Sequence, residues 1–379
     1  MKEIKKLEVK YHDRTVGILA ETKDGKGAFQ YDREWLAEGF SISPFSLPLD
    51  DRVFVPKKDV LEGLFGVFAD SLPDGWGRLL VDRMLLANRI TPAFVRPIQR
   101  LGIVGSGGMG ALEYYPELMH FDEAQRLEFD ELSQACQQIL REQDSEDLDT
   151  LFRLGGSSGG TRPKVLILVD QEPWIVKFPS SFDKKIIGEE EYCYMNCAKK
   201  CGITVPQVRL FPSAQSKGFF GVKRFDRTDG GKVHMVTVSG LLETSHRTPN
   251  LDYHDLMKLT HLITRDNRQI EEMYRRMCFN VYAHNRDDHS KNFSFLYDES
   301  EKRWKLTPVY DLTYSDSIGG EHATCVDGNG RNPGLAELLM VGTGAGLSKG
   351  KARSIAEEIE EIVMEDLSDI VLEYLTENK

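Results

Sequence analysis

Between Ile270 and Asp311 the chain carries a pattern that leaves little freedom in how it folds. Ile270, Met273, Tyr274, Met277, Cys278 and Val281 recur at i, i+3, i+4, i+7, i+8 and i+11, which is one apolar face of a helix. The pattern stops at His284-Asn-Arg-Asp-Asp-His-Ser-Lys-Asn292, nine residues without an apolar side chain. Phe293-Ser-Phe-Leu-Tyr297 and Trp304-Lys-Leu306 then flank a polar turn and predict a hairpin, with Pro308-Val-Tyr-Asp311-Leu at its far end. A polar loop between an apolar helix and a hairpin is anchored at both ends, and such loops are where folds place binding and catalysis.

Helix, polar loop with Asp287 and Asn292 five apart, hairpin, then Asp311: this is the order of a protein-kinase C-lobe. In that reading Asp287 accepts the proton of a substrate hydroxyl, while Asn292 and Asp311 supply the hard oxygen ligands that suit Mg2+. An upstream stretch agrees. Gly155-Gly-Ser-Ser-Gly-Gly160 precedes a strand at Val165–Val169, a turn at Asp170-Gln-Glu-Pro173 and a second strand, Trp174-Ile-Val-Lys-Phe178. A glycine-rich loop leading to a strand lysine, here Lys177, is how kinases hold ATP: loop N–H groups approach the phosphates and the lysine neutralises α/β-phosphate oxygens. The run is not a Walker A loop, which needs Gly-Lys-Ser/Thr opening a helix, whereas Pro163-Lys164 opens a strand. A kinase also fixes its lysine with a carboxylate on the next helix. Glu189, Glu190 and Glu191 begin that helix; Glu191, one turn in, is the expected partner, although acidic residues also favour a helix N-terminus for its dipole.

Other clusters compete for attention. Gly105-Ser-Gly-Gly-Met-Gly110 spells G-x-G-x-x-G, but Ala111-Leu-Glu-Tyr-Tyr-Pro116 behind it reads as a strand stopped by proline. A turn of glycines between two strands is expected there rather than a dinucleotide site. His284, Asp288 and His289 could instead be metal ligands of a phosphohydrolase, a reading that leaves the second glycine loop and Lys177 unexplained. Cys193, Cys197 and Cys201 stand at i, i+4 and i+8; Zn2+ wants four convergent ligands, so a buried stripe is expected.

Elsewhere Leu7–Tyr11, Val16–Ala20 and Ala28–Tyr31 read as short strands of a subdomain ending near residue 50. Residues 59–90 read as helical, with Leu61, Leu64, Phe65 and Phe68 at helical spacing and Pro73-Asp-Gly75 as an interruption. Residues 121–145 read as an acidic helical stretch, Glu189–Lys200 as a helix, 220–238 as β-like, and the chain beyond 254 as mostly helical. The 379-residue length allows two or three domains. A net charge of −12 argues against nucleic-acid binding by the bulk surface and leaves only local basic clefts for it. No apolar stretch approaches the roughly 18 residues of a membrane span, and the opening MKEIKKLEVKYHD has no signal-peptide apolar region. Six cysteines without framework spacing fit a reducing compartment. The expectation is a cytoplasmic protein with no membrane contact.

Together these residues resemble the HipA family of bacterial Ser/Thr kinases, toxins of type II toxin–antitoxin modules. Tyr11–Gly17, Tyr31–Leu36 with Leu47-Pro-Leu49, Phe68-Ala-Asp-Ser-Leu-Pro-Asp-Gly-Trp-Gly-Arg78 and Met109-Gly-Ala-Leu112 are similar to its N-terminal segments. Gly159-Gly-Thr-Arg-Pro-Lys164, Val176-Lys-Phe-Pro179 and Arg224-Phe-Asp-Arg227 resemble its N-lobe marks, and Asn285–Asn292 with Tyr310-Asp-Leu312 its catalytic marks. The resemblance implies an α+β, protein-kinase-like two-lobed fold of the HipA and phosphoinositide-kinase type, with a β-rich N-terminal subdomain and a mostly helical C-lobe. The implied domains are 1–115, 145–230 (N-lobe with the glycine loop) and 231–379 (C-lobe). It implies ATP and Mg2+ as cofactors, with Asp287 as base, Asn292 and Asp311 as metal ligands, and Lys177, Gly159, Gly160, Lys164, Glu191 and His289 around the nucleotide. It further implies autophosphorylation of a glycine-loop serine, nearest Ser157 when counted back from Pro163-Lys164, with Ser158 adjacent. A HipB-like DNA-binding antitoxin is the implied partner, so that DNA is met only through it. The implied substrate is a protein, an aminoacyl-tRNA synthetase in some members. A non-catalytic nucleotide-binding regulator gripping an antitoxin is the rival reading.

Overall fold

The computed structural model describes residues 4–119, 128–143 and 145–377. The expected helical stretch at 121–145 therefore lies partly outside the described residues; its described part carries a helix at Phe129–Leu140. The chain divides into two compact units, residues 1–188 with 209–244, and residues 189–208 with 245–379.

The first unit holds two antiparallel sheets. One has the order Gly27–Tyr31, Arg14–Glu21, Lys6–Tyr11, Leu112–Tyr115. Alternation in Lys6–Tyr11 buries Leu7, Val9 and Tyr11 on one face. The other sheet has the order Lys164–Val169, Glu172–Lys177, Phe219–Lys223, Val208–Phe211. Lys164 lies opposite Lys177 in its leading hairpin, so strand pairing alone brings these two lysines side by side at the mouth of the glycine loop.

Beneath that hairpin runs a helix from far upstream, Gly75–Ala87. Its Trp76, Leu80 and Met84 share one core with Val165, Trp174, Val176 and Phe178. Two expectations are corrected here. The helical spacing at Leu61–Phe68 produces only a four-residue helix, Gly66–Ala69, and residues 60–63 are turns. The run Gly105–Gly110 follows a helix, Pro97–Val104, rather than a strand; Pro97 supplies the fixed φ that suits a first helical position.

In the second unit the helix Asn267–Tyr282 forms as its periodicity predicts, and Asp266 caps it by accepting from the Arg268 N–H at 2.9 Å. All six residues of its apolar stripe are buried. The hairpin Ser294–Asp298/Arg303–Leu306 follows, and the helices Tyr253–Thr264 and Lys349–Glu377 pack on the Asn267–Tyr282 helix.

His234, in the first unit, is buried with Nε2 2.8 Å from the Ile42 carbonyl oxygen. Burial pushes its pKa down to about 4, against the smaller upward pull of that carbonyl. A histidine whose folded pKa lies below the unfolded value of about 6.5 contributes stability above that pH and loses it as pH falls through the folded pKa. The melting temperature should therefore fall between about pH 6.5 and pH 4. In His234→Gln that part of the slope should vanish in thermal melts across the range; an unchanged slope would contradict the assignment.

Candidate active site

The expected site residues fall in both units. In the first, the helix Leu148–Gly155 takes the first glycine of Gly155–Gly160 as its last residue, so the loop begins at Gly156. Ser158 is buried and its hydroxyl donates to the Gly155 carbonyl at 2.5 Å, whereas Ser157 is half-buried and donates to the Gly107 carbonyl at 2.8 Å. Lys164 and Lys177 are both buried. The Lys164 ammonium donates to the Gly159 carbonyl, and the Lys177 ammonium stands over the Phe220 ring, 5.6 Å from its centre.

The loop is gripped by the segment Asp74–Gly77. Trp76 donates its backbone N–H to the Gly160 carbonyl at 2.9 Å and its indole N–H to the Lys164 carbonyl at 3.1 Å. Only glycine allows this approach: a Cβ on Gly77 would lie 2.1 Å from the Ser158 carbonyl oxygen, and one on Gly75, which has φ +45°, 2.3 Å from that of Gly160.

The run Gly105–Gly110 is held as firmly. Asp226, fully buried, accepts from the Gly110 N–H at 2.8 Å and pairs with Arg224 and Arg227 at 2.8 and 2.9 Å. Burial pushes the Asp226 carboxyl up, but the two guanidinium groups and the Gly110 N–H outweigh it and hold the pKa below the usual carboxylate range. Arg227 donates to the Gly108 and Gly110 carbonyls at 2.8 Å each. The Arg224-Phe-Asp-Arg227 motif is thus a clamp on the loop that receives Ser157.

In the second unit the polar loop opens at Ala283, the cap of the Asn267–Tyr282 helix. His284 follows in the left-handed region at φ +52°, its pKa lowered by burial and then by the nearby Arg286. The two adjacent aspartates have opposite surroundings. The Asp287 side chain is 55% exposed, whereas Asp288 accepts from the Tyr253 hydroxyl at 2.8 Å and the Thr324 N–H at 3.2 Å, and lies 2.9 Å from His322 Nδ1. Burial, then the Asp288 charge, pushes the Tyr253 pKa well up. Asn280 extends this network to Tyr253 at 2.9 Å and to Asn285 at 2.9 Å. Asn292 donates its side-chain amide to the Asp287 carbonyl at 2.7 Å, closing the loop on itself. His289 Nε2 is 3.9 Å from an Asp287 carboxylate oxygen. Asp311 sits at φ +55°, a left-handed conformation that Asp tolerates better than most residues.

Glu190 and Glu191 are buried and Glu189 is exposed; Glu190 accepts from the Tyr374 hydroxyl at 2.7 Å. His284, Asp288 and His289 do not form a metal site: Asp288 is committed to its buried network, and among the described residues no three His, Cys, Asp or Glu side chains are placed to hold a metal. Cys197 and Cys201 are buried and Cys193 is half-buried. The Cys197 thiol pKa is raised by its hydrogen bond with Cys201 and by burial. Among the described residues no helix is long and apolar enough to cross a membrane.

A model of the HipA N-terminal domain matches residues 7–115, and one of the HipA-like C-terminal domain matches residues 156–366. The chain belongs to the HipA family. It is 25% identical over 338 residues to Y4dM of Sinorhizobium fredii, provisionally named a kinase, covering 82% of this chain and 78% of that protein. Y4mE of the same organism, also provisionally named a kinase, is 25% identical over 418 residues, covering 98% and 94%. The fold of this HipA-family chain matches that of HipA from Shewanella oneidensis MR-1, solved in a complex of HipA, HipB and operator DNA. That match has a TM-score of 0.72 at 21% identity and covers 97% of this chain and 91% of the other.

Removing the Asp288 carboxylate leaves buried donors on Tyr253 and Thr324 without their acceptor. Asp288→Ala should lower unfolding free energy by about 3 kcal/mol or more, and Asp288→Asn, which keeps an acceptor, by less. Denaturant titration of both variants checks this; a loss under about 0.5 kcal/mol for Asp288→Ala would contradict it.

Proposed function

We propose that this chain is an ATP- and Mg2+-dependent serine/threonine protein kinase and the toxin of a toxin–antitoxin module. The observation that supports this most is the contrast between Asp287 and Asp288. Asp288 is wholly buried and fixes the loop, while Asp287 is presented to solvent with the Asn292 amide on its carbonyl. A positioned carboxylate on a rigid loop suits a general base for a hydroxyl acceptor. In this reading Gly159 and Gly160 approach the ATP phosphates, Lys164 and Lys177 neutralise them, Glu191 positions Lys177, and His289 borders the nucleotide. The donor set suits Mg2+: with the Asn292 amide nitrogen committed to the Asp287 carbonyl, its side-chain oxygen is the ligand it would offer, and Asp311 would add a carboxylate. Mg2+ would supply charge neutralisation of the transferring phosphoryl group.

A HipB-like antitoxin is the proposed partner. It would bring the positive surface that operator binding requires and that a chain of net charge −12 lacks; the Shewanella HipA was solved with such a partner. The proposed substrate is a protein of the translation machinery, of the aminoacyl-tRNA synthetase class. Ser157 is the proposed site of autophosphorylation. Its hydroxyl now donates to a carbonyl, an arrangement a phosphate of about −1.5 to −2 charge cannot keep.

Intact-mass measurement after incubation with ATP and Mg2+ tests the reading. The wild type should gain a phosphate, Ser157→Ala should not, and Asp287→Asn should be slowed by roughly 10²- to 10⁴-fold. Equal phosphate uptake by the wild type and Asp287→Asn would overturn it.

A further inference from the structure

The motif Pro73-Asp-Gly-Trp-Gly77 lies far from the catalytic loop in sequence, and the kinase reading gives it no role beyond packing. Its aspartate behaves unusually. Asp74 is the N-cap of the Gly75–Ala87 helix, yet its side chain makes no capping hydrogen bond, although Asp at this position ordinarily accepts from the N–H two or three residues on. The carboxylate reaches across instead and accepts from the backbone N–H of Gly160 in the glycine-rich loop, 86 residues away. It lies so close over this turn that a Cβ on Gly159 would be 2.9 Å from Asp74 Oδ1. The Lys164 ammonium engages the same turn through the Gly159 carbonyl. A backbone N–H and an ammonium around a glycine turn make an anion site, and the anion on that N–H is the protein's own carboxylate.

We propose that Asp74 is a built-in competitor for the nucleotide phosphates: its carboxylate occupies the Gly160 N–H that a phosphate oxygen would take, and ATP binds only by displacing it. The proposal rests on the kinase reading above and deepens it, because it assigns the N-terminal domain control over nucleotide affinity. The grip of Trp76 on Gly160 and Lys164 keeps the loop in place when the carboxylate leaves. What Asp74 sets is therefore the charge on the site and not its shape. Two anions cannot share one N–H and one ammonium without strong repulsion at this range.

Titration of full-length protein with Mg2+·ATP and with adenosine separates the possibilities. Asp74→Asn retains an acceptor and removes the charge, and Asp74→Ser removes the charge with a residue that caps its own helix. Both should bind Mg2+·ATP roughly tenfold more tightly than the wild type, the difference between a charge-assisted and a neutral hydrogen bond, and both should bind adenosine, which has no phosphate, unchanged. If the wild type binds ATP and folded variants bind it equally or more weakly, the competitor role is wrong while the kinase reading stands. If ATP and adenosine tighten together, the effect is on the loop's shape and the proposal fails. If the wild type does not bind ATP at all, the kinase reading falls and takes this inference with it.

Discussion

A buried carboxylate in a protein interior is stable only when paired and fully hydrogen-bonded, and Asp226 meets that condition with partners from two distant stretches of chain. Arg224 and Arg227 come from beside it; the Gly110 N–H comes from 116 residues upstream. The same guanidinium groups take the Gly108 and Gly110 carbonyls, so a flexible glycine run becomes a fixed row of acceptors. Ser157 reads that row through Gly107. Removal of Asp226 would leave the buried Arg224 and the half-buried Arg227 without their shared counter-charge and the run without its shape.

The glycine loop of the first unit is consequently not an independent lid. Its start is tied to Gly107 and its middle to Asp74 and Trp76. Both ties come from the region matched by the HipA N-terminal domain, residues 7–115. The core of the first unit says the same in apolar terms, since Trp76, Leu80 and Met84 sit under the Lys164–Lys177 hairpin. The N-terminal region is thus wired into the glycine loop through both hydrogen bonds and a shared apolar core.

The sequence was most readable where period and local chemistry agree. The stripe from Ile270 to Val281, the Val165–Phe178 hairpin and the alternating opening strands all formed at the expected places, because each pattern is set by neighbours three, four or two residues apart. Leu61–Phe68 misled because apolar residues at helical spacing can also line a packed turn; the left-handed Glu62 and Gly63, at φ +55° and +75°, stop a helix there. Pro97–Val104 was hidden behind its glycine-rich sequel. Of the candidate site, the loop itself was legible and its supports were not. Tyr253, His322 and Thr324 reach Asp288 from 34 to 36 residues away, and Asp74 and Asp226 find their partners across 86 and 116. Such pairings leave no periodic trace, only short motifs such as Pro73-Asp-Gly-Trp-Gly and Arg-Phe-Asp-Arg whose meaning appears once the chain is folded.

The kinase reading requires the Lys164–Lys177 hairpin and its glycine loop to hold the phosphates of ATP. Calorimetric titration of Mg2+·ATP into the wild type and Lys177→Ala tests it most directly. Saturable binding by the wild type is expected, weakened at least about tenfold when the buried ammonium is removed, in line with loss of a charge-assisted contact. Undiminished affinity in a folded Lys177→Ala protein would contradict it.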